Sequence, residues 1–442
     1  MFTAHRFTRP LAAASVSLAL SSQTAEPASA TPETAPPALD RYVARKDDSF
    51  DWSLRNTTDI DGIRLYELEL VSQTWQDIVW RHTLHVFEPP NLHHPRHLLL
   101  FVTGGAIANR PQPDPMGAQL ARLAGARTAM LHQVPNQPLF DNRFEDDLIT
   151  ETWLRYLETG DETWPLLFPM VKSAVRAMDA LQAFAAEHRE TDVEGFVITG
   201  ASKRGWTSWL TPAVDTRVVA TAPLVIDTLN FRAQMQHQLD TWGAYSKQIH
   251  DYTDKGLVKT GEESPRETRL RLMMDPYSYR DRVRVPKLLV NGTNDPYWVV
   301  DAMKYYWYDL VGPRYVLQVP NAGHGLEGGR ETVLRTVAAF FRHTVSDTPL
   351  PELDWCHADA GDETILRVTA SPTPETARLW LAASPTADFR KAEWHSRTLH
   401  PADGRWTARI PHPETGHTAH FAELVYTVNN LTYSLCTLVH RH

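Results

Sequence analysis

The stretch FVITGASKRGW (residues 196–206) decides the fold, because it joins a strand, a sharp turn and the start of a helix. Its first residues are apolar on both faces, which is typical of a central parallel strand. Gly200 and Ala201 lead into Ser202, and residues 202–215 have the pattern of a helix. A serine on such a corner projects its hydroxyl above the sheet, where it can act as a nucleophile. The same pattern also fits a serine that only caps the helix.

Strand and helix patterns alternate through most of the chain. Segments 63–72 and 78–87 alternate apolar and polar side chains, which predicts antiparallel strands at the leading edge of a sheet. Further strands are predicted at residues 97–105, 127–134, 193–200, 217–226, 285–295 and 314–320. Helices are predicted at residues 116–124, 165–188, 202–215, 296–311 and 329–345. This alternation predicts an α/β fold with a doubly wound, mostly parallel sheet.

Two interruptions and a change of pattern divide the chain. Residues 135–165 and 228–284 lack strand patterns and are predicted as insertions, the second of them helical. The α/β domain spans residues 51–345 and follows an N-terminal tail at residues 31–50. Residues 354–442 contain short β-type segments, which predicts a small C-terminal β-sandwich.

The N-terminus has the features of a signal peptide. Arg6 and Arg9 precede the apolar stretch LAAASVSLAL (residues 11–20), and ASA at residues 28–30 has the small-x-small form of a cleavage site. The apolar stretch is too short to span a bilayer, and no transmembrane segment is predicted elsewhere. We therefore expect residues 1–30 to be removed and the protein to be exported, periplasmic or secreted.

Charge and cysteine content bear on the partners and on the compartment. The 442 residues carry a formal net charge of −9 without a long basic run, so neither nucleic acid nor an anionic membrane is expected as the main partner. Cys356 and Cys436 are candidates for one disulfide in an exported protein, and two free thiols are the alternative. The sequence leaves that choice open, because it does not show whether the two Cβ atoms meet.

An aspartate and a histidine follow later predicted strands. A serine hydroxyl is a weak nucleophile, so it needs a base, a group that orients the base, and donors for the developing oxyanion. Asp295 follows LLVNGTN (residues 288–294), and His324 follows YVLQVPNAG (residues 315–323) just before the last helix. Serine, acid and histidine occur in this chain order in the α/β-hydrolase fold. We predict that Ser202, Asp295 and His324 form a catalytic triad.

The serine motif departs from the usual pattern G-x-S-x-G. Arg204 lies two residues after Ser202, where a glycine normally lets the strand and the helix approach closely, and glycine follows only at Gly205. The turn must therefore accommodate the larger side chain, or Arg204 must point outward.

Backbone amides near the serine are candidates for the oxyanion hole. The N–H of Lys203 directly follows the nucleophile, and the loop after the strand at residues 97–105 offers Gly105 or Ala106 as the second donor. A simple glycine turn is the alternative interpretation of that loop.

Four side chains are candidates for substrate binding. Arg204, like its neighbouring lysine, could recognise an anionic substrate or form a structural ion pair. Asp227 ends a predicted strand and is either an alternative acid or a substrate contact; Asp295 is preferred as the acid because it follows the later strand. Trp206 and Trp298 could line the pocket or belong to the core.

The histidine-rich segments lack the spacing of a metal site. NLHHPRH (residues 91–97) and WRHTLH (residues 80–85) contain neither an H-E-x-x-H pattern nor carboxylates in register. The sequence also contains no G-x-x-x-x-G-K-[ST] phosphate loop and no G-x-G-x-x-G that opens a helix after the first strand. We predict no metal and no cofactor.

Three separated motifs resemble one known family. TGASKRGWTSWLTPAVDTRVVATAPLVID (residues 199–227), LLVNGTNDPYW (residues 288–298) and VPNAGHG (residues 319–325) are together similar to the PhoPQ-activated pathogenicity-related protein family. The resemblance covers most of residues 40–440. It implies an α/β-hydrolase fold and export, with the nucleophile at Ser202, the acid and base in the second and third motifs, and a poorly defined substrate.

The favoured function is an exported serine hydrolase that cleaves an ester or amide of a small molecule, peptide or glycan. The motif is also loosely similar to that of glucuronoyl esterases, in which a basic residue follows the serine and glycine lies three residues after the serine. A carbohydrate esterase is therefore one alternative. The other alternative is a secreted signalling or binding protein that keeps the scaffold without turnover, with the C-terminal domain as a surface for a partner protein.

Overall fold

A nine-stranded sheet forms the centre of a computed structural model that describes residues 33–189, 191–346 and 348–442. Its strands are Asp51–Ile60 (β1), Ile63–Trp75 (β2), Ile78–Glu88 (β3), His97–Val102 (β4), Arg127–Leu131 (β5), Gly195–Ala201 (β6), Val218–Leu224 (β7), Lys287–Gly292 (β8) and Arg314–Val319 (β9). They lie in the order β1-β2-β3-β5-β4-β6-β7-β8-β9. The strands β1 to β3 are antiparallel, β3 pairs antiparallel with β5, and the pairs from β5 to β9 are parallel.

Nine α-helices are present among the described residues. They are Ala38–Ala44 (α1), Pro115–Ala124 (α2), Glu145–Thr159 (α3), Leu167–Arg189 (α4), Lys203–Leu210 (α5), Phe231–Trp242 (α6), His250–Asp254 (α7), Pro265–Met274 (α8) and Arg330–Val345 (α9). Of these helices, α2, α4, α5 and α9 pack on the sheet. All residues of β5 and β8 are buried, as expected for strands covered on both faces. The helix α2 shows the local signals well, because Asp114 caps its first turn, Pro115 begins it and Gly125 ends it at φ 65°.

Two antiparallel sheets follow α9 within the described residues. Their strands are Glu352–Asp359 (β10), Glu363–Ser371 (β11), Thr376–Ser384 (β12), His395–Leu399 (β13), Pro401–Ala402 (β14), Arg405–Pro411 (β15), His417–Val428 (β16), Leu431–Cys436 (β17) and His440–Arg441 (β18). One sheet has the order β10-β11-β15-β14 and the other β13-β12-β16-β17, with β18 paired to β16. The strand β17 packs on α9 and β9, and Tyr433 bonds to His343 at 2.8 Å. The predicted fold class is confirmed, and residues 34–442 form one compact unit.

Several local elements differ from the predictions. The helix predicted at residues 296–311 is wrong: the structure has 3-10 turns at Ala302–Tyr305 and Trp307–Asp309. The helix-like spacing of buried side chains is present, but the backbone bonds join residues three apart, as from Tyr306 N–H to the Met303 carbonyl at 3.1 Å. Aromatic and β-branched side chains crowd this segment, and they lose rotamer freedom in an α-helix.

The N-terminal part contains two elements that the sequence pattern did not reveal. The helix α1 lies within the predicted tail, where Leu39 is fully buried. The strand β1 is mostly polar and exposed at the edge of the sheet, so it lacks the apolar alternation that identifies a strand. The predicted signal peptide at residues 1–30 lies outside the described residues.

The two cysteines are free thiols. Cys356 is exposed on β10, whereas Cys436 is buried at the end of β17. The disulfide that the sequence left open is therefore absent between these two described residues.

Candidate active site

The turn that carries Ser202 is strained. Ser202 lies between β6 and α5 with φ 56° and ψ −122°, and its N–H donates to the Leu224 carbonyl at 2.9 Å. A non-glycine residue at positive φ is uncommon and persists only where its surroundings hold it in place. The strand and the helix therefore meet at a sharp corner at the carboxyl edge of the sheet.

Two glycines allow this corner to close. A Cβ on Gly200 would lie 2.7 Å from the Arg204 carbonyl oxygen, and one on Gly205 would lie 2.8 Å from Ile226 and 2.9 Å from the Gly200 carbonyl oxygen. The close approach of strand and helix thus depends on the glycine three residues after the serine. A glycine two residues after it is not needed for that contact.

Arg204 points away from the helix into an ion pair, in which the guanidinium is buried and the Glu145 carboxylate is partly exposed. Its Nε donates to the Val134 carbonyl at 2.5 Å, and its two terminal nitrogens each donate at 2.7 Å to the carboxylate of Glu145. Burial by itself would raise the pKa of Glu145, but the bonds and charge of Arg204, with Gln137 and Lys203, lower it to about 2. Of the two roles that the sequence left open for Arg204, this geometry is that of the structural ion pair.

The same guanidinium packs under the loop that follows β4. A Cβ on Gly104 would collide with the terminal nitrogen of Arg204, so this position requires glycine. The next residue, Gly105, has φ 116°, a conformation that glycine adopts without strain. The structure thus joins the elbow to the loop of Gly105 and Ala106, the candidate oxyanion donors. The N–H of Lys203 begins α5, and a helix leaves such first-turn donors without intrahelical partners.

His324 and Asp295 contact each other. His324 Nδ1 lies 2.7 Å from Asp295 Oδ2, and the other carboxylate oxygen accepts the Tyr297 N–H at 2.9 Å. A carboxylate only accepts, so Nδ1 carries the proton and Nε2 is left to act as a base. Asp295 is buried, whereas the His324 side chain is 25% exposed and lies against the Tyr297 ring at 4.2 Å. The Ser202 hydroxyl makes no hydrogen bond to His324 in this structure, which describes both residues.

Asp227 makes no hydrogen bond or ion pair with His324, although the structure describes both residues. It is buried and accepts the Tyr306 hydroxyl at 2.5 Å. Burial, and then the charges of Asp295 and Asp301, raise the pKa of Asp227 to about 7 against the opposing effect of Tyr306. Asp295 is therefore the carboxylate that the structure pairs with the histidine.

The C-terminal sheets reach the loops that carry the acid and the base. Asn294 Nδ2 donates to the Ala392 carbonyl at 2.7 Å and more weakly to the carbonyls of residues 389 and 390. Asn321 Nδ2 donates to the Trp394 carbonyl at 2.9 Å, and the Trp394 N–H returns a bond to Asn321 Oδ1 at 2.7 Å. We call residues 389–394 the clamp loop. The sequence contained no local signal for these contacts, because the bonded residues are 73–98 positions apart.

A cavity opens beside Ser202. It encloses about 1030 Å³ of empty space, including the part open to solvent, and its lining includes Lys203, Trp206 and Trp298 but neither His324 nor Asp227. Lys203 pairs with Asp146 at 2.8 Å, and Asp146 also accepts the Tyr252 hydroxyl at 2.9 Å.

The histidines of residues 80–85 and 91–97, all in the described part of the chain, do not form a metal site. His82 is buried between Ser72 at 2.9 Å and the His132 carbonyl at 3.0 Å, and burial lowers its pKa to about 4. Within residues 33–189, 191–346 and 348–442, no group of three or more histidine, cysteine or acidic side chains is arranged to hold a metal ion.

Comparison with known proteins supports the sequence resemblance. The family model described as PhoPQ-activated pathogenicity-related protein matches residues 39–390. The chain belongs to this family. Its predicted family membership is confirmed, and the match ends inside the clamp loop.

A sequence relative and two solved structures place the family match in context. The chain is 31% identical over 432 residues to autocrine proliferation repressor protein A of Dictyostelium discoideum, covering 89% of this chain and 87% of that one. It is similar to acetyl xylan esterase 1 of Thermoanaerobacterium sp. JW/SL YS485, at TM-score 0.50 and 16% identity over 71% of this chain and 96% of that one. A glucuronoyl esterase of Solibacter usitatus matches at TM-score 0.44 and 12% identity, and the match covers 70% of this chain and 91% of that one. The acetyl xylan esterase shares the α/β-hydrolase fold, which confirms that prediction.

Among the described residues, no helix combines sufficient length with sufficient apolar character to cross a bilayer.

Proposed function

We propose that this protein is an exported serine hydrolase that cleaves an ester or an amide with Ser202, His324 and Asp295. The observation that carries the proposal is the pairing of His324 with Asp295 at 2.7 Å, at the sheet edge where Ser202 has φ 56°. A strained turn at the nucleophile is a feature of the serine elbow, and an imidazole oriented by a carboxylate is what acyl transfer requires. Membership of the family and the α/β-hydrolase fold support the same reaction class.

The proposed reaction has two halves. The Ser202 Oγ attacks the carbonyl carbon while its proton passes to His324 Nε2, and the protonated imidazole is stabilised by Asp295. His324 then gives the proton to the departing alcohol or amine, which leaves an acyl-serine. In the second half, water attacks the acyl-serine and its proton passes through His324 back to Ser202, which releases the acid.

This mechanism needs the imidazole to reach the serine hydroxyl. Hydrogen bonds between catalytic groups are often long without substrate and shorten in the substrate complex. His324 follows β9 in a loop that leaves its side chain partly exposed, and the proposal requires that this loop brings the imidazole to Ser202 when substrate binds.

The oxyanion would be held by backbone donors. Lys203 N–H lies at the start of α5, where the helix dipole also favours negative charge, and Gly105 or Ala106 is the second candidate. Arg204 connects the two parts, since it belongs to the elbow and packs against Gly104.

Export is the part of the proposal that rests on residues 1–30 alone. The basic start, the short apolar core and the ASA site support cleavage after Ala30. Mass spectrometry of the protein recovered from outside the cytoplasm should then find Thr31 as its first residue; an intact leader there would contradict export by this route.

The test of the nucleophile is labelling with a fluorophosphonate probe, which reacts with activated serines. The wild-type protein should be labelled, and Ser202→Ala should abolish labelling and hydrolysis. Ser396→Ala, which removes an exposed hydroxyl on β13, is the matched control and should label normally. His324→Ala should also suppress labelling, because the serine loses its base.

Undiminished labelling of Ser202→Ala would refute the proposal. A panel of acetyl, glucuronoyl and feruloyl esters together with peptide amides would identify the bond type and would test the carbohydrate esterase alternative directly.

The second candidate is a secreted signalling protein without turnover. The observation that favours it is the name of the Dictyostelium discoideum relative, an autocrine proliferation repressor, whose match spans most of both chains. Ser202→Ala separates the two candidates: a variant that keeps its full biological effect while losing all labelling would favour signalling through binding.

A further inference from the structure

The cavity beside Ser202 has mostly apolar walls. They come from α3, α5, α6 and α8 and from the end of β7, and they include Trp153, Trp206, Ile226, Phe231, Met235 and Leu270. Most of these side chains are less than a tenth exposed, and Trp206 contacts Trp153 and Phe231 edge-on at 6.0 and 5.5 Å. The walls are therefore packed in place without a ligand and are suited to an apolar group.

The charged side chains at the cavity already have partners. Seven line it, and each belongs to an ion pair. The pairs are Lys203 with Asp146 at 2.8 Å, Arg271 with Glu263 at 2.9 Å, Lys259 with Glu267 at 2.5 Å, and Arg232 with Glu263 at 3.7 Å. A charged group of a substrate is costly to bury unless an opposite charge pairs with it. A site for such a group therefore needs a charged side chain that is free to bind it. The cavity offers no such charge among the described residues that line it.

The cavity lies on one side of the nucleophile. Ser202 lines it, whereas His324 and Asp295 do not, and Tyr297 both lines it and contacts the His324 ring, with 4.2 Å between the ring centroids. The leaving group must lie next to the imidazole, which protonates it. The part of the substrate in the cavity is then the other part, the acyl group that becomes attached to Ser202.

We propose that this cavity binds an uncharged, apolar acyl group, so that the substrate class is an ester or amide of a medium-chain or arylalkyl acid. The inference rests on the proposed function, because it names what Ser202 is acylated with. The attack releases the alcohol or amine with a proton from His324, and water then releases the apolar acid.

The experiment uses p-nitrophenyl acetate, butyrate and octanoate with the full chain. Each methylene that leaves water for an apolar pocket favours binding up to about fourfold, and octanoate has six more than acetate, so kcat/KM for octanoate should exceed that for acetate by at least about 100-fold. Met235→Trp narrows the cavity from α6, at a distance from the elbow, and should lower the octanoate-to-acetate ratio by at least about 10-fold. Val79→Trp, which adds the same side chain at an exposed position of β3, should leave the ratio unchanged.

A second variant protects the test against misfolding of the first. Met235→Ala enlarges the cavity and should move the preference from octanoate towards dodecanoate. Melting temperatures of all variants identify any that fail to fold.

The outcomes separate the two levels of the proposal. Hydrolysis that depends on Ser202 but is as fast with acetate as with octanoate would overturn the acyl inference and leave the hydrolase proposal intact. A chain-length preference that neither Met235 variant alters would overturn the assignment of the cavity. Absence of both ester hydrolysis and fluorophosphonate labelling would overturn the hydrolase proposal and the inference with it.

Discussion

The two sides of the candidate site are attached to the rest of the protein by different interactions. The elbow side is held by charge: Arg204 pairs with Glu145, and Lys203 pairs with Asp146, both from the start of α3. The acid–base side is held by neutral groups: Asn294 and Asn321 bond to backbone groups of the clamp loop.

The difference predicts unequal tolerance to mutation. A guanidinium that is 90% buried and bonded to a carboxylate and a buried carbonyl is costly to disturb, because its removal leaves the Val134 carbonyl and the partly exposed Glu145 carboxylate without this partner. A neutral amide bonded to a carbonyl contributes only about 1 kcal/mol. The elbow should therefore be rigid, and the loops of the acid and the base should be the adjustable side of the site.

The largest effect is expected from Arg204→Ala. It removes the support of both the elbow and the Gly104 loop, and a displacement of about 1 Å at a catalytic group can cost about 100-fold in rate. We expect kcat/KM for ester hydrolysis to fall by roughly this factor, together with a lower melting temperature. Gly104→Ala should reproduce the loss of activity, because its Cβ would displace the guanidinium.

The matched control for that prediction is Arg335→Ala. It removes an exposed pair with Glu331, and such surface pairs contribute little. Full activity in Arg204→Ala would show that the ion pair does not support the elbow, and the contrast between the two sides would fail.

An intermediate effect is expected from Asn294→Ala and Asn321→Ala. Each loses hydrogen bonds of about 1 kcal/mol, and the neighbouring Asp295 and His324 lose part of their orientation. Steady-state kinetics should show kcat lowered by about 5- to 10-fold with KM little changed, since the cavity is untouched. Asn91→Ala, at an exposed loop position, should behave as wild type. An unchanged kcat in both variants would mean that the clamp loop is not needed to position the acid and the base.

The smallest effect on hydrolysis is expected from Asp227→Asn, which keeps an acceptor for Tyr306. The pKa of Asp227 is raised to about 7, so between about pH 4 and pH 7 the folded protein holds a proton that the unfolded chain has lost. The contribution of Asp227 to the free energy of unfolding therefore decreases as the pH rises through that window. The variant Asp227→Asn has no group that titrates there, so it lacks this decrease. The melting temperature of the variant minus that of the wild type should be higher at pH 8 than at pH 5 by roughly 2–4 °C.

The same variant also tests the choice of acid. Hydrolysis lost in Asp227→Asn but retained in Asp295→Asn would reverse the assignment, whereas the opposite result agrees with the contact between Asp295 and His324.

The framework of the site was predictable because it depends on local patterns. The strand β6, which precedes Ser202, is mostly apolar and buried, and Gly200 and Gly205 mark the corner between β6 and α5. The error at residues 296–311 has a related cause: the spacing of buried side chains was correct, but that spacing is shared by an α-helix and by successive 3-10 turns. The strand β1 was missed because an exposed, polar edge strand has no apolar alternation.

The sequence by itself determined the succession of the buried central strands, the family, and the chain order of serine, aspartate and histidine, since periodicity and motif spacing are properties of neighbouring residues. Only the tertiary structure decided that Arg204 pairs with Glu145, that Asp295 rather than Asp227 contacts His324, and that the clamp loop holds two asparagines. These contacts join residues 29–98 positions apart. Which partners meet is set by the packing of the whole sheet and its helices, and no local spacing records it.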